Sequence, residues 1–95
     1  MEKIWFTEYQ KTGIPETVEL PPENTSLIDI FERNFQKFGS RDAFIFMDKA
    51  LSFSELEVAS RKFAAYLQSL GLAKGSRIAV MMPNVLQYPI VALAV

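Results

Sequence analysis

The apolar positions of this chain fall into two helical stripes, one hairpin and one unbroken run. Over residues 26–38, Leu27, Phe31, Phe35 and Phe38 recur every three or four residues, the spacing of one face of an α-helix, and mark its buried stripe. Ser26 stands at the N-cap with Asp29 three residues on, and Asp29 precedes Arg33 by four, a favourable pair on one helix face. Gly39 follows the last periodic residue and is expected to supply a left-handed stop. The run "AFIFM" over 43–47 reads as a short strand, Asp48-Lys49 as a turn, and "ALSF" as the returning strand of a hairpin.

A longer helix follows. Ser54 is expected to cap it, Glu57 to complete a capping box, and Phe53 to staple onto Val58. Leu56, Ala59, Phe63, Leu67 and Leu70 share one face, while Glu57 and Arg61 pair on the solvent side in the favoured order. Gly71 ends the helix, with Leu72 positioned to pack back on Leu67. "GLAKGSR" turns the chain into "IAVMM" at 78–82, a run without polar alternation, which predicts a strand buried on both faces. Strand, helix and buried strand in that order are the wording of an α/β unit with a right-handed crossover.

Residues 78–95 contain no charged side chain. Eighteen residues reach the lower limit for a membrane-spanning helix, but Pro83-Asn84 signals a turn and Pro89 would break any single helix through the segment. The run therefore divides into a strand to Met82, a turn, and a helix over "PIVALAV" with Pro89 near its start. No transmembrane segment is expected. A helix apolar on nearly every face must be buried on every face, and 95 residues leave little to bury it with. The pattern thus predicts a partial α/β subdomain over 25–95, truncated at its C-terminal end, which self-associates through 78–95. Before it, residues 1–24 read as an irregular lead-in punctuated by Gly13, Pro15, Pro21 and Pro22. Its Trp5, Phe6 and Tyr9 are expected to staple it against the folded body.

Composition narrows the chemistry more than the fold. With 49% hydrophobic and 22% charged residues the chain is that of a folded domain. A net charge of −1 provides no electrostatic footprint for nucleic acid. Cysteine and histidine are both absent, which removes thiol chemistry, the usual general base and the commonest metal ligand. The N-terminus lacks the apolar core and cleavage site of a secretory signal, and these features together fit a cytoplasmic location. "GLAKGS" has the letters of a nucleotide loop, but its lysine precedes the second glycine and the spacing is wrong. Glu55 and Glu57, two apart on a helix, face different ways and form no acid/base pair, and no histidine is present to activate any of the seven serines. The residues nominate no catalytic, cofactor-binding or metal-binding position.

The stretch "LSFSELEVASRKFAAYLQSLGLAKGSRIAVMMPN" at 51–84 resembles the opening of the adenylate-forming enzymes, the superfamily of acyl-CoA synthetases, luciferases and peptide-synthetase adenylation domains. Together with "IWFTEY", "SLIDIFERNFQKF" and "MMPNVLQYP", it is most similar to the bacterial long-chain-fatty-acid–CoA ligases. The resemblance covers nearly the whole chain and is loosest over 11–24. Ser76 departs from it, standing where the superfamily usually has aspartate in Gly-Asp-Arg; a serine still hydrogen-bonds in such a turn, but a pairing with Arg77 is lost. The resemblance implies an α/β fold, the N-terminal piece of the large domain of an adenylate-forming enzyme, incomplete on its own. It implies an AMP-forming ligase in which ATP and a fatty acid give an acyl-adenylate and pyrophosphate, and CoA then takes the acyl group. ATP, magnesium and CoA are implied for the parent and none for this piece, because the superfamily's phosphate loop, adenine and magnesium motifs and catalytic lysine lie beyond the matching region. The implied partner is the rest of the parent enzyme, in the cytoplasm or peripheral to the inner membrane. The residues alone leave a second reading open, a complete small α/β protein-interaction or self-associating module.

Overall fold

The computed structural model describes residues 3–19 and 26–95. Elements run in the order α1 (Trp5–Thr12), α2 (Leu27–Phe38), β1 (Asp42–Phe46), β2 (Lys49–Ser52), α3 (Phe53–Ser69) and α4 (Gln87–Ala94). The architecture is a small mixture of helices around one two-stranded antiparallel hairpin. Helix α3 is its centre: α4 packs along it, and α2 and both strands lean on it. Leu56 on α3 is fully buried and Phe35 on α2 is 8% exposed, and among the described residues these two form the apolar core.

Local chemistry explains most of the elements. The hydroxyl of Ser26 accepts from the Asp29 amide at 3.2 Å and donates to the Asp29 carboxylate at 2.8 Å, so α2 starts where the pattern places it. Its end differs from expectation: Gly39 is right-handed, at φ −45°. Its glycine requirement is steric, since a Cβ there would sit 2.6 Å from Ser54 Oγ and 3.0 Å from the Phe35 carbonyl oxygen. Gly71 does adopt the left-handed conformation expected of it, with φ +76°, just after α3.

Helix α3 begins two residues earlier than its pattern suggests. Ser52, not Ser54, is the N-cap: its hydroxyl accepts from the Glu55 amide at 3.2 Å, and the Glu55 carboxylate accepts from the Ser52 amide at 2.9 Å. Two Ser-x-x-Glu boxes overlap in "SFSELE", and packing selects the first. The amides of Phe53 and Ser54, orphaned at a helix start, donate to the carbonyls of Arg41 and Gly39, each at 3.0 Å. The loop after α2 thus satisfies the first turn of α3. Glu57, free of capping, accepts from Arg61 at 3.0 and 3.1 Å as its spacing predicts. The hairpin turn is also displaced by one residue, to Met47 and Asp48, both with positive φ. That is the signature of a type I′ turn, whose twist matches the flanking strands.

Three larger expectations are corrected. The lead-in is not wholly irregular, because 5–12 form the two turns of α1. Trp5, Phe6 and Tyr9 do not staple it to the body; their rings meet one another at 6.1 and 6.0 Å, and Trp5 is exposed. Residues 78–82 form no strand: among the described residues no ladder pairs with them, and Met81 is 97% exposed. A strand exists only through its neighbours' hydrogen bonds, so the α/β crossover expected here is not closed. Residues 1–2 and 20–24 of the lead-in, including Pro21 and Pro22, lie outside the described residues, as does residue 25.

Candidate functional site

The helix at the end of the chain forms as its prolines dictate. Pro83 to Leu86 turn the backbone, with the Val85 amide donating to the Pro83 carbonyl at 2.9 Å, and α4 follows. Pro89 is its third residue, inside the first turn, where a missing N–H costs nothing. No residue of α4 is fully buried, although every position but Gln87 is apolar or aromatic. One side rests on α3. The other faces a groove of 560 Å³ closed by Leu27, Ile28 and Phe31 of α2 and Phe44 of β1. A second groove of 260 Å³ continues from it between β1 and the 84–86 turn, sharing Phe44, Tyr88 and Pro89.

The lining of these two grooves carries no charged side chain. Leu27, expected in the buried stripe of α2, is 73% exposed at the groove's lip. Ile45 on β1 is 69% exposed, and Phe44 and Phe46 beside it are also open. Sequence reading placed these residues in elements but not in a shared groove; the one signal was the lack of polar alternation in "AFIFM".

The side-chain ion pairs and the shifted titratable groups lie elsewhere. Glu55 is held below its ordinary pKa of 4.5 by the hydrogen bond from the Ser52 backbone and then by that from its hydroxyl. Arg61 is pushed up by Glu57 and, across to α2, by Glu32 at 3.3 Å. Ser76 accepts from the Ala73 amide at 3.1 Å, so the serine in place of the expected aspartate does bond within its turn. Among the described residues no group of three acidic, histidine or cysteine side chains could hold a metal ion. The apolar groove, lined by no charged side chain, does not fit a triphosphate. No described helix is long and apolar enough to cross a membrane.

The sequence pattern that defines the AMP-binding enzyme family matches residues 31–95, and the chain belongs to that family. Over 91 residues it is 47% identical to a long-chain-fatty-acid–CoA ligase of Yersinia pestis and 44% identical to that of Escherichia coli O157:H7. Each alignment covers 95% of this chain and 16% of the ligase. The ligase of Bacillus subtilis strain 168 is 40% identical over 83 residues, 87% of this chain and 14% of its own length. The chain thus spans about one-sixth of the length of these relatives. No solved structure is a significant match.

Proposed function

We propose that this chain is the N-terminal part of a long-chain-fatty-acid–CoA ligase, the AMP-forming enzyme that converts a fatty acid, ATP and CoA into acyl-CoA, AMP and pyrophosphate. The observation that carries the reading is the 47% identity to such a ligase along 95% of the chain. The role of these residues is scaffolding. Residues 25–95 form part of an α/β subdomain, contribute no catalytic, nucleotide-binding or metal-binding side chain, and leave ATP, magnesium and CoA to the remaining polypeptide. On this reading the enzyme works in the cytoplasm, peripheral to the inner membrane, as the ligase resemblance implies.

The test is a chimera. The matched segment of the Yersinia pestis ligase is replaced by this chain, and acyl-CoA synthesis from a long-chain fatty acid is measured. The chimera is expected to be active, while the 95-residue chain alone catalyses no ATP–pyrophosphate exchange. A folded but inactive chimera would sink the reading. The self-associating module is the second reading, favoured by the open groove; a discrete, soluble oligomer of the isolated chain would support it.

A further inference from the structure

We infer that the outer face of α3 is a self-complementary interface, through which two copies of this chain pair with their α3 helices antiparallel. The face is turned away from the buried Leu56 and Ser60. On it, Glu55, Val58, Ala59 and Lys62 surround a shallow depression of 380 Å³, with Ser54 at its edge. Their spacing is i, i+3, i+4, i+7, the outline of the hole that receives a side chain from a facing helix in knobs-into-holes packing. Ala59 keeps the floor of the hole low, and Val58 beside it, 53% exposed, is an apolar knob on the same face. The contact lies outside both apolar grooves, so it is separate from self-association through 78–95 and needs nothing from the ligase reading.

Charge identifies the occupant. Glu55 stands three positions before Val58, and Lys62 three after Ala59. A second α3 running antiparallel, with the two-fold axis between Val58 and Ala59, sets Val58 over Ala59 of the other copy. The same operation sets Glu55 over Lys62, twice by symmetry. A parallel pairing would instead set Glu55 against Glu55 and Lys62 against Lys62. The face is thus its own complement, which is what an isologous contact requires. Both charged groups have capacity for it. Lys62 enters no ion pair among the described residues. Ser52 engages only Oε2 of Glu55, at 2.9 and 3.0 Å, which leaves Oε1 for an incoming ammonium. Roughly three turns of each helix overlap in this arrangement, less than the 800 Å² or so per partner of a standard interface. The dimer is therefore weak and reversible, and charge sets its register more than its affinity.

The experiment is a disulfide trap. The 95-residue chain has no cysteine, so a single introduced one reports only its own position. Ala59→Cys lies beside the two-fold axis, where two copies come within disulfide reach, and mild oxidation is expected to link them covalently. Gln68→Cys, exposed on another side of α3, should link about tenfold more slowly. In the Ala59→Cys background, Lys62→Glu should slow linking about tenfold, because it opposes like charges at both ends of the contact. Adding Glu55→Lys should restore the rate, since the exchanged charges again face their opposites; circular dichroism checks that each variant keeps its helices. Raised salt should slow the trap as well. Leu27→Glu with Ile45→Lys, which alter the apolar side at two exposed positions, should leave it unchanged. Linking at Ala59→Cys no faster than at Gln68→Cys, or a charge exchange that restores nothing, would overturn the interface. Loss of linking in the Leu27→Glu, Ile45→Lys variant would assign the association to the apolar side and overturn it too.

Discussion

Gly39 and Ser54 show how a single contact sets the local geometry. Gly39 has ordinary helical backbone angles, so it is not needed for a turn. It is needed because α3 begins against it, with Ser54 Oγ 2.6 Å from where a Cβ would lie. Gly39→Ala should cost about 1–2 kcal/mol in urea denaturation. Adding Ser54→Ala should recover part of this, since it removes the nearer of the two contacts; a neutral Gly39→Ala would refute the close approach. Glu55 provides a pH test at the same scale. Its folded pKa is depressed by Ser52, so its contribution is fully present above the ordinary glutamate value and is lost as pH falls through the lower folded value. Carboxyl NMR should show Glu55 titrating below 4.5, and Ser52→Ala should move it back up.

At the scale of elements, the start of α3 and the hairpin turn are the discriminating features. Ser52→Ala removes the working cap and should cost about 1 kcal/mol, whereas Ser54→Ala should cost only a small part of that. Equal effects would mean that the helix start is not where the Arg41 and Gly39 carbonyls hold it. In the hairpin, Met47 adopts φ +48° and Asp48 φ +61°, a conformation that Gly, Asn and Asp accept more readily than a long side chain such as Met. Met47→Asn with Asp48→Gly should therefore raise the thermal midpoint, by about 1 kcal/mol of stability. Both element types were legible beforehand, because helical stripes and an apolar run before a turn are local signals. Their exact starts were not. The two overlapping capping boxes are equivalent as sequence, and only the backbone carbonyls of a distant loop distinguish them.

At the scale of the molecule, the chain is expanded as well as open. Its radius of gyration is 17.7 Å, against roughly 12 Å for a compact domain of this length. Leu56 is the one large side chain among the described residues that is fully buried, so the small core depends on it. Leu56→Ala should cost about 2–5 kcal/mol and unfold the isolated chain, as followed by loss of helical circular dichroism. The intact chain should bind an apolar dye, and dye binding should fall when the remaining ligase polypeptide is supplied. A well-behaved monomer that binds no dye would contradict an open apolar face of this extent.

Local order is what the sequence determined by itself: α2 with its Ser26 cap, the hairpin, the long amphipathic α3, the stop at Gly71, and a last helix that accommodates Pro89. It also determined the absence of thiol and imidazole chemistry, since the composition holds no cysteine or histidine. Each of these depends on residues within a few positions of one another. The tertiary structure decided what depends on distant neighbours. It chose Ser52 over Ser54, gave Gly39 a steric role, and left α1 unstapled. It also left 78–82 without a ladder, although that run carries the pattern of a buried strand. Periodicity reports which face an element must bury, but a strand and a groove are completed only by the atoms that arrive opposite them.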